Sequence, residues 1–235
     1  FSLANYFQGA NREFLFYSGY AFFLGAMLFL MARYNFRATT FSYFLEGYLD
    51  FILQLAGIIF YMFFMQRFLN TKEKHPFLYK LYNAGLVFLF AAIPGYTFFH
   101  YFTDNFRAEN MIENSTKVLI LKMIIIFLVY SIRHWEDKLL RYLFWGNLCL
   151  FVFGILSQMQ AFIQGVFSSL PGIFSSSIFY YELGLFLELV FFMAGLNHKN
   201  NRRLIAQTKE RETLKAQNQL KEYEKELAVY KAQQE

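Results

Sequence analysis

Apolar runs close to the length of a bilayer crossing alternate with short polar breaks along this chain. Residues 1–10 form an apolar-aromatic stub, closed by the polar Asn11-Arg12-Glu13. Six complete spans are predicted after it, at residues 14–32, 44–66, 81–102, 116–132, 140–162 and 178–196. Each approaches the ~20 residues that a helix rising about 1.5 Å per residue needs to cross the hydrocarbon. The stub reads as the inner end of a truncated first helix. Pro94 lies inside the third complete span and is expected to kink it, because proline removes a backbone donor. Pro76 and Pro171 are placed in loops.

The last run behaves differently from the others. After Leu196 it passes Asn197-His-Lys-Asn-Asn-Arg-Arg203 and turns polar, rich in Glu, Lys, Gln, Leu and Ala. No Gly or Pro follows Leu204 and no helix-stopping signal appears. One helix is therefore expected to cross the membrane and continue for about 50 Å beyond it. Ala206, Thr213, Leu220 and Leu227 recur every seven residues, followed at +3 by Lys209, Ala216, Tyr223 and Tyr230. Leu220, Tyr223, Leu227 and Tyr230 are the predicted contacts of a two-stranded parallel coil, with Glu226 and Lys231 placed for an interhelical pair. The alternative is a single solvated helix. The chain thus divides into a transmembrane domain, 1–199, and a cytoplasmic signalling helix, 200–235.

Composition sharpens the class: 57% of residues are hydrophobic, 22% aromatic and 17% charged, with 33 Phe and 17 Tyr. A soluble domain does not carry that aromatic load, and the ten-residue alternating segments of a membrane β-barrel are missing. The fold class is an all-α membrane protein. A lone Cys149 allows no intrachain disulfide. Phe1 opens mid-pattern without a Met or a basic leader, so the chain reads as a piece of a longer protein that has lost an exterior domain.

Charge then orients the spans. With the carboxy-terminal helix in the cytoplasm, the inner connections hold Arg12, Arg67, Lys72, Lys74, Lys80, Arg133, Lys138, Arg141, Lys199, Arg202 and Arg203. The outer ones hold only Arg33, Arg37 and Arg107. This is the positive-inside pattern of a multi-pass protein of the inner (plasma) membrane, and it explains the net charge of +5 without nucleic acid. The outer segment 103–115 is acidic and is read as a loop. Asn114-Ser115-Thr116 fits the glycosylation pattern by chance, at the mouth of a span.

No catalytic motif is present. His134-Trp-Glu-Asp137 lacks the second histidine of a zinc pair, and no nucleophile elbow, phosphate loop or dinucleotide fingerprint occurs. His75, His100, His134 and His198 lie at span ends and read as interfacial. No cofactor and no metal are expected. The aromatic stripe 60–68 reads as packing. The informative residues are charges within spans, which are expensive in hydrocarbon. Counted by depth, Asp50, Lys122, Glu182 and Glu188 can form a polar cluster in the outer half of the bundle. A neutralised pair that sets helix register, a ligand or proton-sensing site and an ion path are the readings of it. As a register pair, Lys122→Ala is expected to be worse than Lys122→Ala/Glu188→Gln.

Several stretches resemble a bacterial family, the seven-transmembrane receptors with diverse intracellular signalling modules. Arg12-Glu13-Phe-Leu-Phe-Tyr17 is similar to that family's Arg-acidic-x-x-x-Tyr link between the first two helices. Phe64-Met-Gln-Arg-Phe-Leu-Asn-Thr71 with Pro76 is similar to its third-helix exit. Gly184-x3-Glu188-x6-Gly195-Leu196 is similar to its last helix. The resemblance implies an exterior sensor domain, seven helices and a cytoplasmic effector on the same chain, often a histidine kinase, although no phosphoacceptor histidine is present here. The expected function is transmembrane signal relay through the last helix, by a homodimer in the lipid bilayer. A small secondary transporter or channel is the competing class, and predicts an internal repeat and paired broken helices that are not found. A scaffold that passes no signal is the third.

Overall fold

The computed structural model describes residues 12–34, 39–103, 105–162 and 176–232. All regular structure among them is helical, in the order α1 (Arg12–Tyr34), α2 (Thr40–Phe44), a π-helical turn (Leu45–Leu49), α3 (Asp50–Phe68), α4 (Thr71–Lys74), α5 (Pro76–Phe102), α6 (Phe106–Arg133), α7 (Lys138–Phe162) and α8 (Ser177–Ala232). Among the described residues, six helices are long and apolar enough to cross a membrane. The protein is an all-α, multi-pass membrane protein. The stub at 1–10 and Pro171 lie outside the described residues.

Local chemistry moves several boundaries outward from the apolar runs. The second span starts at Thr40 because Thr39 and Ser42 form a reciprocal capping box, Ser42 N donating to Thr39 Oγ1 at 3.1 Å and Thr39 N to Ser42 Oγ at 2.8 Å. Pro76 is not a loop residue. It is the first residue of α5, where the missing N–H is of no consequence and the fixed φ favours the helix. The acidic segment 103–115 is likewise mostly helix: the Asn105 side chain accepts from Ala108 N at 3.2 Å and starts α6 there. Within α5 the helix runs through Pro94 without interruption. Asn70 takes up a left-handed conformation between α3 and α4, at φ 50°, which asparagine tolerates better than most residues.

The chain divides into two compact units, Phe1–Phe192 and Met193–Glu235. In the first, glycines set the closest approaches. A Cβ at Gly19 of α1 would overlap the Phe60 ring of α3, and one at Gly57 of α3 would stand 3.0 Å from Leu24 of α1. The same reciprocity joins α7 to the membrane part of α8. Gly146 receives the Phe192 ring, 2.6 Å from where its Cβ would be, and Gly184 receives Phe153 at 2.7 Å. Lipid tails are as apolar as leucine, so helices in a membrane gain by such close packing rather than by burying oil.

The core is built from Leu55, Phe64, Met65, Phe68, Leu78, Leu89 and Phe192, all fully buried. Large apolar side chains cover the outer faces as well: Phe22, Phe29, Val87 and Phe102 are each at least two-thirds exposed. In water that surface would drive aggregation; against hydrocarbon it is the ordinary outer face of a bundle. In the second unit, the helix from Met193 onward continues α8, and Leu204, Ile205, Leu214, Leu220 and Tyr223 are exposed.

Candidate functional site

The site builds around Glu188, which is fully buried in the membrane part of α8. Two tyrosines one turn apart on α1 reach this helix. The Tyr20 hydroxyl donates to Glu188 Oε2, and the Tyr17 hydroxyl donates to the Leu189 backbone oxygen at 2.9 Å. Residues three apart on a helix share a face, so one face of α1 clasps two consecutive residues of α8. Tyr61 of α3 packs on Tyr20, ring centroids 5.4 Å apart, and stacks on Phe192 at 6.0 Å. Its hydroxyl donates to Asn147 Oδ1 at 2.7 Å, while Asn147 Nδ2 donates to the Leu143 carbonyl of its own helix at 2.9 Å. Four helices thus meet in a polar knot, α1, α3, α7 and α8, flanked by Phe64 and Phe192.

Two oxygens in this region are buried without a hydrogen-bond partner among the described residues, Glu188 Oε1 and the Tyr82 hydroxyl of α5. Native interiors leave few such groups.

The four charges expected to cluster are distributed otherwise. Asp50 is half-buried at the start of α3, where its carboxylate accepts from Phe51 N at 2.6 Å. Glu182 is half-buried on α8, and Lys122 is exposed on α6. Neither Lys122 nor Glu188 takes part in the ion pairs His75–Asp137, His100–Glu109 and Lys117–Glu113. Glu188 therefore has a phenol where the sequence suggested an ammonium. On the second unit, Leu220 and Tyr223 are helical and exposed; the side chains of Leu227 and Tyr230 lie outside the described residues.

At one end of the bundle the π-helical turn meets α5. The Tyr96 hydroxyl donates to the Gly47 carbonyl at 2.8 Å, and Tyr48 bonds Thr97 Oγ1 at 2.9 Å. Wide turns of this kind leave carbonyls splayed from the helix ladder, and Tyr96 satisfies one of them. Tyr48 also stacks on His100, whose Nδ1 stands 3.6 Å from Glu109 Oε2.

At the opposite end a second clasp joins two connections. His75, buried between α4 and α5, has Nδ1 3.0 Å from the Tyr130 hydroxyl and Nε2 3.5 Å from Asp137 Oδ2. Asp137 in turn accepts from Leu139 N at 2.8 Å, at the start of α7. His75 first, and the backbone N–H groups after it, hold the Asp137 carboxyl down at about 2, against the opposing effect of burial. A carboxyl lowered on folding adds stability above its unfolded pKa, near 3.8, and loses that contribution as pH falls through the folded value. Asp137→Asn is expected to lower stability at neutral pH by roughly 1 kcal/mol, partial exposure having screened the rest. It should also flatten the decline of the thermal midpoint between about pH 4 and pH 2. Thermal unfolding in detergent at stepped pH measures both effects.

Sequence reasoning placed Glu188 at the centre of interest and missed its partners. Tyr17, Tyr20, Tyr61 and Asn147 are scattered over three helices, and among 17 tyrosines nothing local marks these. Tyr17 alone carried a signal, as the last residue of the Arg12-Glu13-x-x-x-Tyr17 stretch. His75 was read as interfacial and is instead buried.

No curated protein and no solved structure matches this chain. A family model described as 7TM diverse intracellular signalling matches residues 1–199, a range that holds the Tyr17–Tyr20 clasp and Glu188 alike. The chain belongs to the 7TM diverse intracellular signalling family, whose domains serve transmembrane signalling.

Proposed function

We infer that this chain is the transmembrane relay of a sensor receptor, with α8 as its output helix. The carrying observation is the clasp: α1 holds Glu188 and Leu189 on the same helix that continues to Ala232. A helix is stiff along its axis, so a shift or rotation at Glu188 travels to the far end of α8. In this reading the carboxy-terminal end is cytoplasmic in the inner membrane, as the bias of Lys and Arg supports. Two copies associate through Leu220, Tyr223, Leu227 and Tyr230. The effector they drive lies on the same polypeptide and is a histidine kinase of the two-component class. The relay domain is 1–199, the signalling helix 200–235, and this part performs no catalysis.

Rotation can be imposed directly. In the parent receptor, inserting one to about six residues after Gln217 turns everything downstream by roughly 100° per residue. Autophosphorylation is expected to rise and fall with the helical period. Output that is indifferent to all of the insertions would sink the relay and favour a scaffold. Solute flux through proteoliposomes holding the chain would favour a transporter.

A further inference from the structure

Glu188 has no countercharge among the described residues. The titratable groups within its electrostatic reach are Tyr17 and Tyr20 from α1, Tyr61 from α3, Cys149 from α7 and Tyr181 from α8. A phenol or a thiol is never positive in any protonation state. No Lys, Arg or His forms an ion pair with Glu188 among the described residues. One of its oxygens accepts the Tyr20 hydroxyl; the other is buried and has no partner. An intramembrane carboxylate ordinarily pairs with a cation or faces water, and this one does neither among the described residues.

The donor set narrows what can supply the missing charge. The Tyr20 phenol bonds the carboxyl, Tyr61 packs on Tyr20 and bonds the Asn147 amide, and Cys149 is half-buried on α7. Hard oxygen ligands suit hydrogen ions and alkali or alkaline-earth cations rather than soft metals. A single carboxylate balances a single charge, whereas divalent sites in proteins generally gather several carboxylates and carbonyls. The Tyr82 hydroxyl, the other unpartnered buried oxygen, shares Tyr61 as an electrostatic neighbour with Glu188.

We propose that Glu188, through its unpartnered Oε1, binds one monovalent cation, a proton or an alkali-metal ion, inside the bundle. The charge of the carboxylate governs how strongly it accepts the Tyr20 hydroxyl, since bonds to ionised acceptors are the stronger ones. Occupancy therefore loosens the α1–α8 clasp, and loss of the cation tightens it. This regulatory consequence rests on the relay reading of α8; the binding itself does not.

Infrared difference spectroscopy of the 235-residue chain in nanodiscs reads the carboxyl directly. Spectra are taken on pH jumps in choline chloride, and on exchange of choline for sodium or potassium at fixed pH. The expected result is a carboxyl band that responds to one of these and is lost in Glu188→Gln. A response to pH alone identifies the proton, and a response to sodium or potassium identifies the alkali ion. Tyr20→Phe, which keeps the carboxyl and removes its donor, is expected to shift the same band. That variant secures the assignment if Glu188→Gln does not fold. Difference spectra of the wild type that contain no band shifted by Tyr20→Phe, under either exchange, overturn the proposal.

Discussion

Gly146→Val is expected to be the most damaging single change in the bundle. The first carbon added at Gly146 would stand 2.6 Å from Cε1 of Phe192 and 3.2 Å from the Glu188 carbonyl. The ring is the far end of a side chain, but it is fully buried and wedged against Phe64 and Tyr61. The carbonyl belongs to helix backbone and cannot step aside without moving α8. Overpacking a filled core costs about 1–3 kcal/mol, more where backbone must shift, and the upper end applies here. Phe192→Leu in the same chain is expected to return part of the loss, because it withdraws the ring and leaves only the carbonyl contact. Unfolding of both single variants and the double variant in detergent gives the coupling. Additive losses would mean that Gly146 does not receive Phe192. Because Phe192 lies one turn beyond Glu188, the same variant should also disturb the Tyr20 bond, so it is a poor instrument for dissecting signalling.

Tyr20→Phe is the second. It leaves a buried carboxyl with no donor at either oxygen, and an unsatisfied charged group costs more than the bond it lost. A destabilisation of ~2 kcal/mol is expected, above the average of about 0.6 kcal/mol found for hydrogen bonds inside membrane proteins. Replacing both members by apolar residues of similar volume, Tyr20→Phe with Glu188→Met, should recover most of it, since a buried polar pair often exchanges for apolar packing at little cost. A double-mutant cycle with no coupling would remove the clasp. Tyr17→Phe should be much milder, because the Leu189 carbonyl it releases lies inside α8. Lys122→Ala, at an exposed position, is expected to stay within about 0.5 kcal/mol of the parent.

Lys122 and Tyr20 differ in a property that the chain does not encode locally. Depth along a span follows from counting residues at a fixed rise, so Glu188 could be set near mid-membrane and Lys122 between the depths of Glu182 and Glu188. Direction around the helix could not be found the same way. In a soluble protein the apolar stripe reveals the buried face, but here both faces are apolar, because lipid accepts the same side chains as the core. On α6 the buried row is Thr116, Met123, Phe127 and Ser131, and Lys122 stands one residue off it. Only the packed bundle distinguishes those positions.

Helix ends show the opposite balance. The Thr39–Ser42 box, Asn105 and Pro76 are local signals, and they were present in the sequence although hydropathy alone drew the spans shorter. By itself the sequence determined the helical class, the six span candidates among the described residues, the uneven distribution of positive charge and the family, because run length, charge and motif order are properties of a line. Which side chains meet was decided only by tertiary structure. Tyr20 reaches Glu188 across 168 positions of chain, and His75 reaches Tyr130 across 55. Such contacts depend on how each helix is rotated about its own axis, a rotation that close packing at Gly19, Gly57, Gly146 and Gly184 sets and that hydrophobicity, in a membrane, does not encode.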